Sequence, residues 1–445
     1  MEEMKSKTPF QAVKSRFTDR KKEKEMKAIV REDPGGPEVL RVMRVPEPKI
    51  TDDEVLIRVA ATALNGPDII ERRVTYPPSK TQSPILGLEC AGTIEKVGQN
   101  VKRWQVGQQV CAVTNGGAYA EKVAVPQGLV LPIPEGIPLA EAASFPQVAC
   151  SVWAALFTED KLSVSYFLPE DASKTSLSAG GSLLMASTFW AALTMKTREA
   201  SRSPLCAGDS LLVVACTVWV ILVLKVKLCS WFPGSRRRLN AGETLMVHGG
   251  SGGIGTFTIQ LAKQRGVKVI ATAVSDDQLR ACEELGADEC IAFNHKDKDK
   301  NKAEKLIEMV KSKTYGKGVD VILSSLGIEY LLEENACLKV DGMLVSIVGC
   351  CAVHSDDCSR LPQPKSENSK VQARYNIGVA GFRYRNTQYK ARIVREVEEH
   401  VWPLIAAGGV KPVVHHRFPF SEATEAHRLM ESGEHVGKIL LIPDN

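Results

Sequence analysis

From Met26 to Val125 the apolar positions fall in short runs bounded by Gly, Pro or Asn. MKAIV is followed by a Pro34, Gly35, Gly36 turn, VLRVMRV and EVLIRVAATAL from Glu54 to Leu64, and further runs occupy Ala91 to Val97, Gln109 to Val113 and Tyr119 to Val125. Such runs predict short strands, and their spacing predicts a compact barrel-like domain. Helical patterns begin at Leu139 and again near Val148, ending at Phe157. After Thr244 short apolar runs and helical patterns alternate regularly. Strands are expected at Thr244–Val247, Val267–Thr272, Cys290–Phe293, Val319–Ser324 and Met343–Val348. Helices are expected between them at Thr256–Arg265, Asp276–Leu285 (stopped by Gly286), Ala303–Lys311 and Tyr330–Leu338. This is a doubly wound α/β arrangement, which binds ligands at the carboxyl ends of its strands. Helices at Ala391–Ala407 and Ser421–Met430 and a strand at Lys438–Ile442 close the pattern.

The first strand of the α/β half runs into Gly250, Ser251, Gly252, Gly253, Ile254 and Gly255. That is G-x-G-x-x-G between a strand and a helix, the context in which the motif marks a dinucleotide site. Gly250 permits a tight turn, Gly252 lets backbone approach a pyrophosphate, and Gly255 lets the helix close on its strand. The helix N-terminus adds unpaired N–H groups and a positive dipole end.

Composition narrows the picture. A chain of 445 residues exceeds one ordinary core, and 44% hydrophobic with 24% charged residues is globular. The net charge of +5 is small and unclustered, so no nucleic-acid partner is expected. The 12 cysteines form no C-x-x-C pair, and no secretory segment precedes them, so reduced thiols in the cytoplasm are expected. Cys350, Cys351 and Cys358 are read as small loop residues. Residues 1–25 are Lys-rich, interrupted by acids and without apolar periodicity, which predicts a disordered basic tail.

Several motifs together, among them MKAIVREDPGGPEVL, ALNGPDIIERRVTYPP, ILGLECAGTIEKVG, AGETLMVHGGSGGIGTFTIQLAK and EAHRLMESGEHVGKILL, resemble the quinone oxidoreductase-like branch of the medium-chain dehydrogenase/reductase superfamily. The resemblance covers Met26 to Phe157 and Leu239 to the end. It implies a GroES-like β-barrel catalytic domain (26–157, completed by 400–445), a Rossmann domain (239–399) and a homodimer. Zinc-dependent relatives carry Cys and His where this chain has Asn65 and Leu88, neither of them a usual zinc ligand, so no metal is expected.

The family pattern implies Asn65 and Tyr76 as the catalytic pair, Tyr76 as polar wall and donor and Asn65 as donor near the acceptor carbonyl. Turn chemistry before Gly66 and Pro67, and ordinary packing before Pro77 and Pro78, are the structural alternatives. Besides the glycine turn, the family implies cofactor contacts at Ser275, Arg280, Phe293, Leu326, Gly327, Gly349, Phe382, Arg383 and Lys438. Ala273, Val274 and Ser275 stand where an NAD site would place an acid, which favours NADPH over NADH. Against that, the family lysine is Gln278, with Arg280 able to replace its charge, and Asp276 is an acid in the right place for NADH. The resemblance implies an NADPH-dependent reductase of small-molecule quinones or related α,β-unsaturated carbonyls. Two other readings stand beside it, an alkenal or enone double-bond reductase and a non-catalytic NADPH-binding protein of the crystallin or RNA-binding kind.

Residues 158–238 depart from that family, which has only a few residues there. The apolar run Leu211 to Leu224 is shorter than the roughly 20 residues a membrane span needs. Its composition shift and the return to family pattern at Ala241, Gly242 and Glu243 favour a non-coding-derived insertion over an anchor or an added functional element.

Overall fold

In the computed structural model, which describes residues 24–31, 33–73, 83–158, 238–294, 301–326, 334, 336–347, 376–379 and 382–444, the first third of the chain is mostly β. Tyr76, Gly327, Gly349, residues 1–23 and residues 159–237 lie outside the described residues. The apolar runs become β1 (Glu25–Arg31), β2 (Leu40–Pro46), β3 (Glu54–Ala63), β4 (Glu89–Val97), β5 (Gln109–Val113), β6 (Lys122–Pro126) and β7 (Val130–Pro132). Helices α1 (Gly66–Arg73), α2 (Leu139–Ala142) and α3 (Pro146–Leu156) are set among and after them.

The α/β half contributes β8 (Thr244–His248), α4 (Gly253–Gln264), β9 (Lys268–Ala273), α5 (Asp276–Glu284), β10 (Glu289–Ala292), α6 (Lys302–Lys313), β11 (Val319–Ser324), β12 (Leu338–Ser346) and β13 (Asn376–Val379). The chain ends through α7 (Thr387–His400), α8 (Trp402–Ala406), β14 (Val414–Pro419), α9 (Ala423–Ser432) and β15 (Lys438–Ile442).

Strands β8 to β13 form a parallel sheet in the order β10-β9-β8-β11-β12-β13. This is the Rossmann order 3-2-1-4-5-6, which reverses direction between β8 and β11 and opens a crevice beyond their carboxyl ends. Leu245 and Val247 face one core, and Met246 faces a second with Ile270, Ile322 and Leu344. Burial on both faces explains why these strands read as continuous apolar runs rather than alternations.

The other main sheet runs β14-β15-β3-β4-β5-β7 with β6 on β3, so the two C-terminal strands complete the barrel begun by the N-terminal ones. Helix α3 is buried along its whole length and belongs to a core shared with both halves, with Phe145 edge-on to Phe257 of α4 at 6.2 Å. Leu239 N–H donates to the Leu156 carbonyl at 2.9 Å, so the chain resumes beside the point where α3 ends.

Two expectations are corrected. The helix expected over Ala391–Ala407 is two, α7 and α8, divided at Val401 because Pro403 in the first turn of α8 cannot donate to a continuous ladder. Strand β12 begins at Leu338, expected to end a helix; most of that helix's span, Tyr330–Leu338, lies outside the described residues. Among the described residues no helix is long and apolar enough to cross a membrane.

Candidate active site

The carboxyl ends of β8, β9 and β11 meet α1, α3 and the loop between α9 and β15 around a cavity of about 520 Å³. Gly249, at φ +68, turns the chain out of β8 in a conformation that glycine adopts freely. A side chain at Gly250 would come within 2.8 Å of Ala271 Cβ and 2.9 Å of Cys282 Sγ, and one at Gly255 would fall on the Gly249 carbonyl. A Cβ at Gly252 would meet only the Gly249 oxygen at 3.4 Å and would otherwise enter open space. Gly252 N-caps α4 without a side-chain hydrogen bond, leaving first-turn N–H groups for an anion. This cradle fits a pyrophosphate. Gly437 N–H donates to the Ser251 carbonyl at 2.7 Å, tying the loop before β15 to the turn.

Asn65, Glu89 and Lys438 form a buried trio at the barrel wall. Lys438 Nζ lies 2.6 Å from the Leu64 carbonyl, 2.8 Å from Asn65 Oδ1 and 2.9 Å from Glu89 Oε1. Asn65 Nδ2 donates to Glu89 Oε1 at 2.9 Å and to the Ala63 carbonyl at 3.1 Å, and Gln147 N–H donates to Glu89 Oε2 at 2.8 Å. Both amide hydrogens of Asn65 are thus engaged, so the role expected of it, donor to an acceptor carbonyl, does not match the bonds it makes; it holds the lysine instead. The ammonium and the carboxylate balance each other at the wall, and Leu88, next to Glu89 in sequence, is buried. Among the described residues no group of three or more His, Cys, Asp or Glu could hold a metal ion.

Asp68 explains how Asn65 is aimed. Its carboxylate accepts from Asn65 N–H at 2.8 Å and Gly87 N–H at 3.0 Å, the reciprocal half of a capping box, which leaves the Asn65 side chain to Glu89 and Lys438. Burial, with Glu71 adding to it, pushes the Asp68 carboxyl up to about 7. Behind it, Tyr119 Oη is 3.2 Å from His427 Nε2, and Arg72 Nη1 is 3.0 Å from His427 Nδ1. Because arginine only donates, Nδ1 is the acceptor and Nε2 carries the hydrogen toward Tyr119. Burial, reinforced by Arg72, holds His427 down at about 3, so the ring is neutral.

Of the expected residues, Asn65, Ser251, Gly252, Gly253, Ile254 and Gly255 line the cavity. Phe293, Leu326, Phe382, Arg383 and Lys438 join them. Arg383 is 4% exposed, its Nε 2.9 Å from Glu71 Oε1 and its Nη2 3.3 Å from Oε2, while Nη1 has no hydrogen-bond partner among the described residues. Gly250 supports the turn from behind. Ser275 and Arg280 do not line the cavity: Ser275 Oγ caps α5 by accepting from Gln278 N–H at 3.3 Å, and Arg280 pairs with Asp277 on an exposed face.

Three lining residues escaped the sequence reading. Gln147 and Ser151, four apart on the otherwise apolar α3, share a face toward the cavity, with Gln147 Nε2 3.4 Å from Ser151 Oγ; polar residues at i and i+4 in PQVACSVWAAL were the available signal. His435 lines the far end, next to Gln278, whose Nε2 donates to the Gly433 carbonyl at 2.7 Å and the His435 carbonyl at 3.4 Å.

Two family models match the chain, one described as an alcohol dehydrogenase GroES-like domain over residues 51–135 and one as a zinc-binding dehydrogenase over residues 285–441. The chain is 26% identical over 425 residues to a quinone oxidoreductase of Rattus norvegicus, covering 94% of this chain and 98% of that protein. It is 25% identical over 403 residues to highly-reducing polyketide synthase 1 of Aureobasidium melanogenum, covering 90% of this chain but only 14% of that much longer protein. Its fold superposes on the Escherichia coli quinone oxidoreductase complexed with NADPH with a TM-score of 0.60 at 20% identity, covering 94% of this chain and 99% of that one. With a GroES-like barrel, a Rossmann sheet and both family models, the chain belongs to the medium-chain dehydrogenase/reductase superfamily and is an oxidoreductase, with quinone oxidoreductases among its relatives.

Proposed function

We propose that this oxidoreductase is an NADPH-dependent reductase that delivers hydride to quinones or related α,β-unsaturated carbonyls without zinc. The observation that carries the reading is the convergence on one cavity of a glycine cradle for pyrophosphate and of Asn65 and Lys438, held by the buried Glu89. NADPH, when bound, supplies the hydride; with one proton from solvent, a quinone becomes a hydroquinone.

The chain's own residues position and polarise. Gly252 and the first turn of α4 take the pyrophosphate. Lys438 lodges its ammonium among three oxygens, one of them from Asn65, the position where zinc-dependent relatives carry a cysteine, which supports the metal-free reading. Arg383 Nη1 and the Ser151 hydroxyl are the donors left for bound groups, with Tyr76 a further donor on the family pattern. Leu64, Ile70, Val148 and Phe382 supply apolar lining that excludes water. Placing donor and acceptor in line can remove roughly 7 to 11 kcal/mol of barrier, against about 3 to 4 kcal/mol for one oxyanion donor, so positioning is the larger effect.

The relationship to part of a polyketide synthase supports the enone double-bond reading as the second choice. The test is oxidation of NADPH and NADH, followed at constant enzyme, with ortho-quinones, para-quinones and enones side by side. Turnover of a quinone supports the proposal, turnover of enones alone selects the second reading, and oxidation with no acceptor leaves only the non-catalytic one.

A further inference from the structure

Resting on that reading, we propose that His435 is the residue that recognises the 2′-phosphate of NADPH, so that coenzyme preference in this chain is set by an imidazole on the barrel's last loop. The adenosine ribose of a dinucleotide lies beyond the carboxyl end of the second Rossmann strand, here β9, whose end is marked in the cavity by Ala273, Val274 and Gln278. None of these is charged, and neither Ser275 nor Arg280, the residues expected to meet the phosphate, reaches the cavity lining. His435 lines the same cavity.

Its Nδ1 is a buried polar atom with no hydrogen-bond partner among the described residues. With no such partner, Nδ1 is the ring atom left for a ligand. Gln278 holds the loop in place through the Gly433 and His435 carbonyls, so the ring is carried on a braced segment rather than a free one.

A neutral ring with hydrogen on Nε2 offers Nδ1 as an acceptor, suited to the 2′-hydroxyl of NADH; a protonated ring offers Nδ1–H, suited to a phosphate. The groups that face it are His415 of β14, with ring centroids 6.4 Å apart, and Lys438 of β15. Both are basic, and with burial as the larger cause they hold His435 below its ordinary value, so the free ring is neutral at pH 7. On the α5 side, Asp277 is paired with Arg280 and Asp276 is exposed. A bound phosphate dianion restores the proton by the same electrostatics, which makes NADPH affinity, and not NADH affinity, rise as pH falls.

The experiment is fluorescence titration of the full chain with NADPH and NADH at pH 8 and pH 6, with displacement by 2′,5′-ADP and 5′-AMP as hydride-independent probes. The expected result is that the ratio of NADH to NADPH dissociation constants rises about tenfold from pH 8 to pH 6. In His435→Gln that rise is lost for both probe pairs, in His435→Arg preference for the phosphate is high at both pH values, and His415→Gln, which removes a basic neighbour, moves the rise to higher pH. His435→Arg also reports the phosphate's own second ionisation near pH 6. A flat wild-type ratio with both coenzymes bound, or a His435→Gln variant that keeps the response, overturns this assignment while leaving the reductase reading intact. Binding of neither coenzyme to the wild type overturns both.

Discussion

Replacing Lys438 by Met tests the wall of the site most severely. Lys438 is 5% exposed, and its ammonium satisfies Leu64 O, Asn65 Oδ1 and the fully buried Glu89. Truncating one partner leaves a carboxylate in an apolar interior, and removing half of a buried pair costs about 3–5 kcal/mol. That is a large part of the roughly 5–15 kcal/mol that holds an ordinary domain together. The change should therefore lower the urea midpoint sharply without altering its slope. Adding Glu89→Gln to Lys438→Met removes the stranded charge and should recover about half of the loss or more, because replacing both charges can be neutral where removing one is not. Arg280→Ala, which breaks the exposed pair with Asp277, should leave the midpoint unchanged. The measurement is urea denaturation followed by tryptophan fluorescence and circular dichroism. A Lys438→Met loss below about 1 kcal/mol, or no recovery in the double variant, would refute the buried-pair reasoning.

Three further outcomes follow from the same geometry. Deleting Thr158–Arg238 should raise the melting temperature and leave quinone turnover equal or higher, since Leu239 already bonds the end of α3; higher turnover by the full chain would contradict this. His427 is held down at about 3 in the fold against an unfolded value near 6.5, so the unfolded chain takes the proton first and stability is lost as pH falls between the two, by about 3 kcal/mol at pH 4. His427→Gln should lack that acid slope, as melts from pH 7 to pH 4 would reveal. Ser151→Ala should lower kcat with a quinone by about tenfold while the NADPH dissociation constant stays put, as expected for a donor that acts on the acceptor.

How much of this was legible depended on whether the signal was local. The Rossmann half was readable because two-faced burial writes continuous apolar strands, and because the glycines of the turn answer to contacts within a few residues, such as Gly255 against Gly249. Helix α1 was not read, although Asn65 and Asp68 carry the N-x-x-D spacing of a cap, since the leading Gly66 and Pro67 look like a loop. The Asn65–Glu89–Lys438 trio joins residues 24 and 373 positions apart, and no local pattern encodes such a meeting. Family pattern placed Asn65 and Lys438 at the site but could not show that the amide of Asn65 is spent on Glu89 and Ala63. His435 was invisible for a related reason: its neighbour Gln278 lies 155 positions from Gly433, and only the folded barrel brings its last loop to the end of β9.

The central claim is that a reduced nicotinamide nucleotide lies along the glycine turn, and Gly252 tests it most directly. Its φ of −72° and ψ of 172° suit any residue, and an added Cβ meets only the Gly249 oxygen at 3.4 Å, at a position that lines the cavity. Gly252→Val should therefore melt like the wild type and bind NADPH at least about tenfold more weakly, because the lost space is that of the pyrophosphate. Equal NADPH affinity in wild type and Gly252→Val, measured by fluorescence titration, would contradict the account.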